Sequence, residues 1–412
     1  MREMKESGIE WIKAIPSNWN ISKIDQLYVP RNTKVSDFDY QPLSVTMQGI
    51  VPQLESAAKT NAHDSRKLVM KGDFAINSRS DRRGSCGISE YTGSVSLINT
   101  VLKPKEDMNA RYYNWLFHTS MFSDEFYRWG HGIVDDLWST GWQEMKKISI
   151  PSPSLDEQHK IADFLDQKCS EIDALTADIQ TQIETLEEYK KSVITEAVTK
   201  GLDPNVEMQD SGVEWIGKIP ASWTVIKIKY LSNEVNQKKL MNTESMYSYL
   251  GLENLKSYSD EIIKTETDYD EGIQKFCHKG NVLFSKLRPY LAKVMICPYD
   301  TFATSEFLEL SPSECVCDAN YLKYSMLNSL FINEVNLSTY GAKMPRADAS
   351  YIKNIKICIT NLDEQRQITD FLDRKCAEID QTISEKQQQL ETLAEYKKSL
   401  IYEYVTGKKE VA

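Results

Sequence analysis

The chain has 412 residues, 41% hydrophobic and 26% charged, which exceeds one ordinary core and suits two domains of about 100 to 200 residues. No apolar run approaches the roughly 20 residues of a membrane helix, and the charged opening MREMKESGIEWIKAIP lacks the apolar region of a secretory signal, so a soluble, cytoplasmic chain with no membrane partner is expected. The formal net charge of -11 is concentrated: residues 155–200 hold 11 acidic and 5 basic side chains, residues 362–412 hold 11 and 8, and the other 315 residues sum to only -2, so charge permits nucleic-acid binding without indicating it.

Read in chain order, the sequence is written twice. Its opening block, Ser7-Gly-Ile-Glu-Trp-Ile-Lys-Ala-Ile-Pro-Ser-Asn-Trp19, returns as Ser211-Gly-Val-Glu-Trp-Ile-Gly-Lys-Ile-Pro-Ala-Ser-Trp223. Trp11, Trp19, Trp215 and Trp223 thus belong to a repeated frame and are expected to anchor cores. Residues 24–140 follow as a mixed α/β segment that includes a helical stretch from Ala110 to Phe117.

A long helix is predicted from Leu155. Ser154 and Glu157 make an S-x-x-E capping box, and Leu165, Ile172, Ile179, Leu186 and Val193 recur at sevens, the coiled-coil period. Ile161, Leu175 and Tyr189 are expected to widen that stripe, and Gly201 to stop the helix. The second head then supplies β-type runs at 282–285, 292–297 and 355–359 and a helical stretch from Asn320 to Leu327. A second helix is predicted from Leu362, led by Asn361 and Glu364, with Leu372, Ile379, Leu393 and Leu400 in its seam and Gly407 at its end. Lys386 interrupts this seam, and Ile383 and Leu390 are placed to cover the gap.

The expected organisation is a first head over 1–154, a spacer helix over 155–200, a second head over 201–361 and a second spacer over 362–412. Each helix of about 45 residues would extend roughly 65 Å, too long for one globular unit to bury, so the two stripes are expected to pair with each other. The fold class is therefore mixed α+β: two α/β heads in an inverted pseudo-two-fold arrangement, joined by two long antiparallel coiled-coil helices. The eight cysteines show no C-x-x-C spacing and read as reduced, mostly buried thiols, with no disulfide and no metal site expected; Cys169 and Cys376 recur on the helices as small apolar groups.

Two frames are alike while two contents are not. A duplicated enzyme would keep matching catalytic residues in its divergent parts, and none is visible: there is no phosphate-binding G-x-x-x-x-G-K-[ST] loop, no H-E-x-x-H and no Asn-Pro-Pro-Tyr-type block, and Glu144-Met-Lys146 is a triplet frequent by chance. No catalytic residue is assigned. The paired openings, the two Leu-Asp-Glu-Gln-x-x-Ile-x-x-Phe-Leu-Asp helix starts and Lys279-Gly-Asn-Val-Leu-Phe-Ser-Lys-Leu-Arg-Pro-Tyr290 resemble the specificity subunit of type I restriction-modification systems, over the whole chain and in that family's order. The resemblance implies that each variable head is a target recognition domain reading one half of a split double-stranded DNA site. It implies that the helices space the heads and dock two methyltransferase (modification) subunits, which a translocase-nuclease (restriction) subunit joins. S-adenosylmethionine, ATP and Mg are then cofactors of the partners, with none in this chain.

Candidate DNA contacts follow from basic side chains beside turns and aromatics. In the second head they are Lys286, Arg288, Tyr290 and Lys293 around Pro289, and Lys343 and Arg346 in Tyr340-Gly-Ala-Lys-Met-Pro-Arg346. In the first head the matching segment carries Arg79, Arg82 and Arg83, the densest Arg cluster in the chain. The counterpart of the second loop, His131-Gly-Ile-Val-Asp-Asp-Leu137, lacks both basic residues, which leaves its role in the first head open; His131 and Trp138 remain candidates for base contact there, although a lone Trp at such a place is more often packing. Two other readings stay open at this point: a duplicated coiled-coil scaffold whose different heads bind two proteins, and a hydrolase whose activity needs only this chain.

Overall fold

A computed structural model describes residues 2–53, 63–133, 138–241, 247–259, 261–263 and 271–411, without the side chain of Ser80. The chain forms two compact units, Met1–Ile179 with Gln388–Ala412, and Gln180–Gln387. Each unit holds one head and a part of each long helix. Among the described residues no helix is long and apolar enough to cross a membrane.

In the first unit the opening block folds as a hairpin, Met4–Glu6 against Ala14–Pro16, and Trp19 is fully buried beneath it. The Ser7 hydroxyl accepts from the Ile9 amide at 2.9 Å and the Ser7 amide donates to Lys13 O at 2.7 Å, which explains the serine at the start of the motif. An antiparallel sheet runs in the order Cys86–Ile88, Phe74–Asn77, Asn99–Pro104, Tyr28–Pro30. Helices Ala110–Phe117 and Ser120–Arg128 pack on it through Phe74, Phe117 and Phe122, with ring centroids 4.9 and 4.5 Å apart. The Asn109 carboxamide caps the first of them by accepting from Arg111 and Tyr112 amides.

The second unit repeats this plan with other residues. Its hairpin is Met208–Asp210 against Lys218–Pro220, over the buried Trp223. Its sheet runs Ser232–Val235, Phe307–Pro312, Val282–Ser285, Val294–Ile296. Helix Ala319–Leu327 is capped by Asp318, and Lys356–Ile359 pairs with Thr224–Lys227. The strands and helices expected around 110–117, 282–285, 292–297, 320–327 and 355–359 are all present, because each is a short apolar run bounded by turn or cap chemistry.

The long helices are Leu155–Lys200 and Leu362–Val405, and Gly201 and Gly407 end them in the left-handed conformation at φ 77° and 70°. Within the first unit Phe164 stacks on Tyr404 at 4.4 Å and Lys397 Nζ donates to Asp173 at 2.6 Å, so residue numbers fall along one helix as they rise along the other. Within the second unit Lys190 meets Asp380 and Lys386 meets Gln182 in the same antiparallel sense. Leu165, Ile172, Ile179, Leu372, Ile379 and Leu400 are buried, and Leu186, Val193 and Leu393 half-buried.

Two expectations are corrected. Leu175 and Tyr189 do not widen the seam; both are about half exposed, and the second ridge is Cys169, Ile183, Lys190 and Ala197, four residues after Leu165, Ile179, Leu186 and Val193. Four residues advance a helix by about 40° from the seam line, three fall about 60° short on the other side, and the partner helix covers the nearer side. The capping boxes are half formed. Glu364 N–H donates to Asn361 Oδ1 at 3.0 Å and Glu157 N–H to Ser154 Oγ at 3.4 Å, but both glutamates turn away from the cap backbone to accept an indole N–H: Trp19 to Glu157 at 2.9 Å and Trp223 to Glu364 at 3.1 Å. The next residue locks the joint. Gln158 Oε1 accepts from the Asn109 amide and Gln365 Oε1 from the Asp318 amide, so the Leu-Asp-Glu-Gln motif ties each helix start to its head.

Candidate nucleic-acid interface

In the second head, strand Val282–Ser285 ends in a strained turn. Arg288 and Ala292 both adopt the left-handed region, φ 48° and 46°, on either side of a 3-10 turn at Pro289–Leu291. What holds that backbone is the other candidate loop. Arg288 N–H donates to Pro345 O at 2.7 Å, Ala347 N–H to Lys286 O at 2.9 Å, and Tyr340 and Arg346 exchange both backbone hydrogen bonds. The bridges Leu287 to Arg346 and Tyr340 to Arg346 make a narrow three-stranded edge. Segments 286–290 and 340–346, far apart in sequence, are therefore one surface.

On that edge Arg288, Tyr290 and Lys343 are exposed. Arg346 is half-buried, its Nε 3.1 Å from Glu306 Oε2. Lys286 is half-buried too, and burial, then the neighbouring Arg346 charge, hold its ammonium below the ordinary lysine range. Lys293 is different: its Nζ donates to Leu252 O at 2.7 Å, which commits the ammonium to the fold. Tyr290 also lines a cleft of about 620 Å³ with Lys190, Tyr258 and Asp380.

The first head builds the same edge from other side chains. Thr140 N–H donates to Ser78 O at 2.9 Å, Arg79 bridges Ser139, and His131 and Ser139 exchange both backbone hydrogen bonds at 3.0 Å. Arg79 and Arg82 are exposed, Arg82 lying 3.5 Å from Asp81. Arg83 is committed, its guanidinium 3.6 Å above the Tyr127 ring and 3.3 Å from Asp124. Trp138 packs, as expected of a lone Trp: its indole donates to Tyr127 O at 3.0 Å and stacks on that ring at 5.6 Å. His131 is exposed, and Val134–Leu137 of the expected loop lie outside the described residues.

Sequence reasoning missed Ser78, Ser139 and Glu306, which complete these edges. None carries a local signal, because each is recruited by a strand or loop far away in the chain.

A family model for the type I restriction modification DNA specificity domain matches residues 16–185 and again residues 220–392. The chain belongs to the type I restriction-modification specificity family. It is 26% identical to the type I restriction enzyme MjaVIII specificity subunit of Methanocaldococcus jannaschii, over 96% of this chain and 93% of that one. It is 20% identical to the EcoDI specificity subunit of Escherichia coli, over 86% and 80%. Among solved structures, a chain from work on complex assembly and conformational transition of a type I R-M system superposes with TM-score 0.72 at 11% identity, covering 96% of this chain and 99% of that one. The HsdS subunit from Thermoanaerobacter tengcongensis does so with TM-score 0.53 at 13% identity, covering 96% and 98%. At such identities these two likenesses speak for the fold of the specificity chain and for nothing finer.

Proposed function

We propose that this specificity chain selects a split double-stranded DNA target, each head reading one half and the gap left unread, and so directs adenine methylation and restriction by its partners. One observation carries the reading: the two units keep the same edge backbone and the same helix joints, while the side chains on the edges differ completely. A duplicated frame with unlike reading residues suits two unlike half-sites.

The chain itself is non-catalytic in this reading and works in the cytoplasm. Two methyltransferase subunits dock on its helices and a restriction subunit joins them, bringing S-adenosylmethionine, ATP and Mg. Arg79, Arg82, Arg288, Lys343 and Arg346 approach the duplex, with Lys286 at the edge of the contact. Arg83 and Lys293 act behind them by holding the loops.

The test maps methylated adenines in a host carrying the gene and measures binding to the motif found. The expected motif has two specified halves and an unspecified gap. Binding weakens with salt, and each mismatched base pair in either half costs about 1 to 3 kcal/mol. A deletion of about two turns, roughly seven residues, from each helix shortens the gap. A continuous motif, or binding indifferent to both halves, leaves the protein-binding scaffold as the better reading.

A further inference from the structure

We propose that the second head reads a guanine through Arg346, with Glu306 as the positioning residue; this rests on the DNA-reading function above. Arg346 is anchored at both ends. Its backbone N–H and C=O are both bonded to Tyr340, and its side chain is ion-paired through Nε to Glu306 Oε2 at 3.1 Å. That carboxylate oxygen is buried and makes no hydrogen bond, so its charge is balanced by ion pairing with Arg346 and by the nearby Lys286 ammonium.

The guanidinium is ion-paired to Glu306 and makes no side-chain hydrogen bond among the described residues, so its η nitrogens keep their donors for another partner. The planar guanidinium fork can grip guanine O6 and N7 together, and a carboxylate beside it helps to set where that fork lies. The surroundings suit a groove contact: Arg288 and Lys343 are exposed beside it, and so are Tyr340 and Met344.

Glu306 closes the arrangement from the turn just before strand Phe307–Pro312. Its backbone carbonyl accepts from the Lys286 amide, which joins the acid to the loop that Arg346 bridges. In the first head the matching positions are Ile98 for Glu306 and Ser139 for Arg346, since Ser78 N–H donates to Ile98 O and Ser139 takes the bridge. At these two positions the first head carries no such pair, so the two half-sites are expected to differ at the corresponding base pair.

The experiment selects duplexes from a library randomised in both half-sites, using the full chain with its methyltransferase partners. The wild type is expected to fix a guanine at one position of the second half. Arg346→Ala and Arg346→Lys lose that preference while keeping the other positions and the first half. Glu306→Gln weakens the same position alone, and Glu306→Asp restores part of it. Replacing that guanine by 7-deazaguanine costs the wild type about 10- to 100-fold in affinity and costs Arg346→Ala nothing.

An unchanged motif in both Arg346 variants overturns the assignment. So does an equal loss at every position of the second half in Arg346→Ala that Arg346→Lys largely restores, which marks a phosphate contact. If the wild type selects no split motif at all, the functional reading itself has failed.

Discussion

The two helix-to-head joints and the two reading edges teach opposite lessons. At the joints the same Trp, Glu and Gln make the same contacts: Trp19 with Glu157 and Trp223 with Glu364, and Gln158 and Gln365 with the backbone amides of Asn109 and Asp318. At the edges the backbone bonds recur but Ser78, Arg79, His131 and Ser139 stand where Lys286, Leu287, Tyr340 and Arg346 stand. Frame contacts need fixed side chains because a buried indole N–H and a carboxylate must satisfy each other. An edge held by main-chain bonds leaves its side chains open to change.

Beneath the edges lies a third pattern, in which one task has two solutions. The first head buries Asp73 against Arg31, at 2.5 and 3.0 Å, where the second has Asn281 and Val235. The second head instead buries Glu309, whose Oε1 accepts from the His278 amide at 2.8 Å and from Asn281 at 2.7 Å. The buried carboxylate has moved from the turn to the neighbouring strand, and its donors moved with it.

The largest effects should come from the joints. Trp19→Ala and Trp223→Ala should each destabilise by about 3 to 5 kcal/mol, by similar amounts, in chemical denaturation. A cost confined to one of them would break the equivalence of the two joints.

The helix ion pairs should separate the units. Lys190 is 8% exposed and Lys397 28%, so Asp380→Asn should cost about 1 to 2 kcal/mol and Asp173→Asn a few tenths. The Lys190 ammonium keeps one acceptor, Tyr258 O, which limits the first figure. Equal midpoints for the two variants would contradict this ranking.

A pH titration should distinguish the edges. Burial and Arg346 depress the Lys286 ammonium in the free protein, and a nearby phosphate favours its charged form. Affinity for the second half-site should therefore fall as pH rises through that lowered value, before an ordinary lysine would titrate. Stability moves the other way: the unfolded chain holds the proton longer, so folding gains as pH rises through the same window. Lys286→Met should flatten the affinity dependence and reduce the stability dependence, of which half-buried Lys293 keeps a share, and affinity for the first half-site, with Ser78 at that place, should show no such fall.

A last, small effect tests a mismatch inside the frame. Lys13 sits at φ 67° where the second copy has Gly217 at φ 73°. Lys13→Gly should stabilise the first unit by about 0.5 to 1 kcal/mol, measured as a shift in its denaturation midpoint. Gly217→Lys should do the reverse in the second unit.

Much of this molecule is legible in its amino-acid order. The doubled frame, both long helices, their glycine stops and the strands of the second head follow from periodicity and from caps, which act between residues a few positions apart. Each half of the basic edge is visible there too, as Arg beside Pro and Gly. Tertiary structure alone decided that 286–290 and 340–346 are one surface, that Arg83 and Lys293 are committed to the fold, and that Glu306 stands behind Arg346. It also sent Glu157 to a tryptophan 138 residues away and buried Lys190 in the seam. A capping or heptad signal is written in neighbouring residues, but an ion pair or an indole bond joins positions whose separation in sequence carries no pattern, so only the folded chain reveals it.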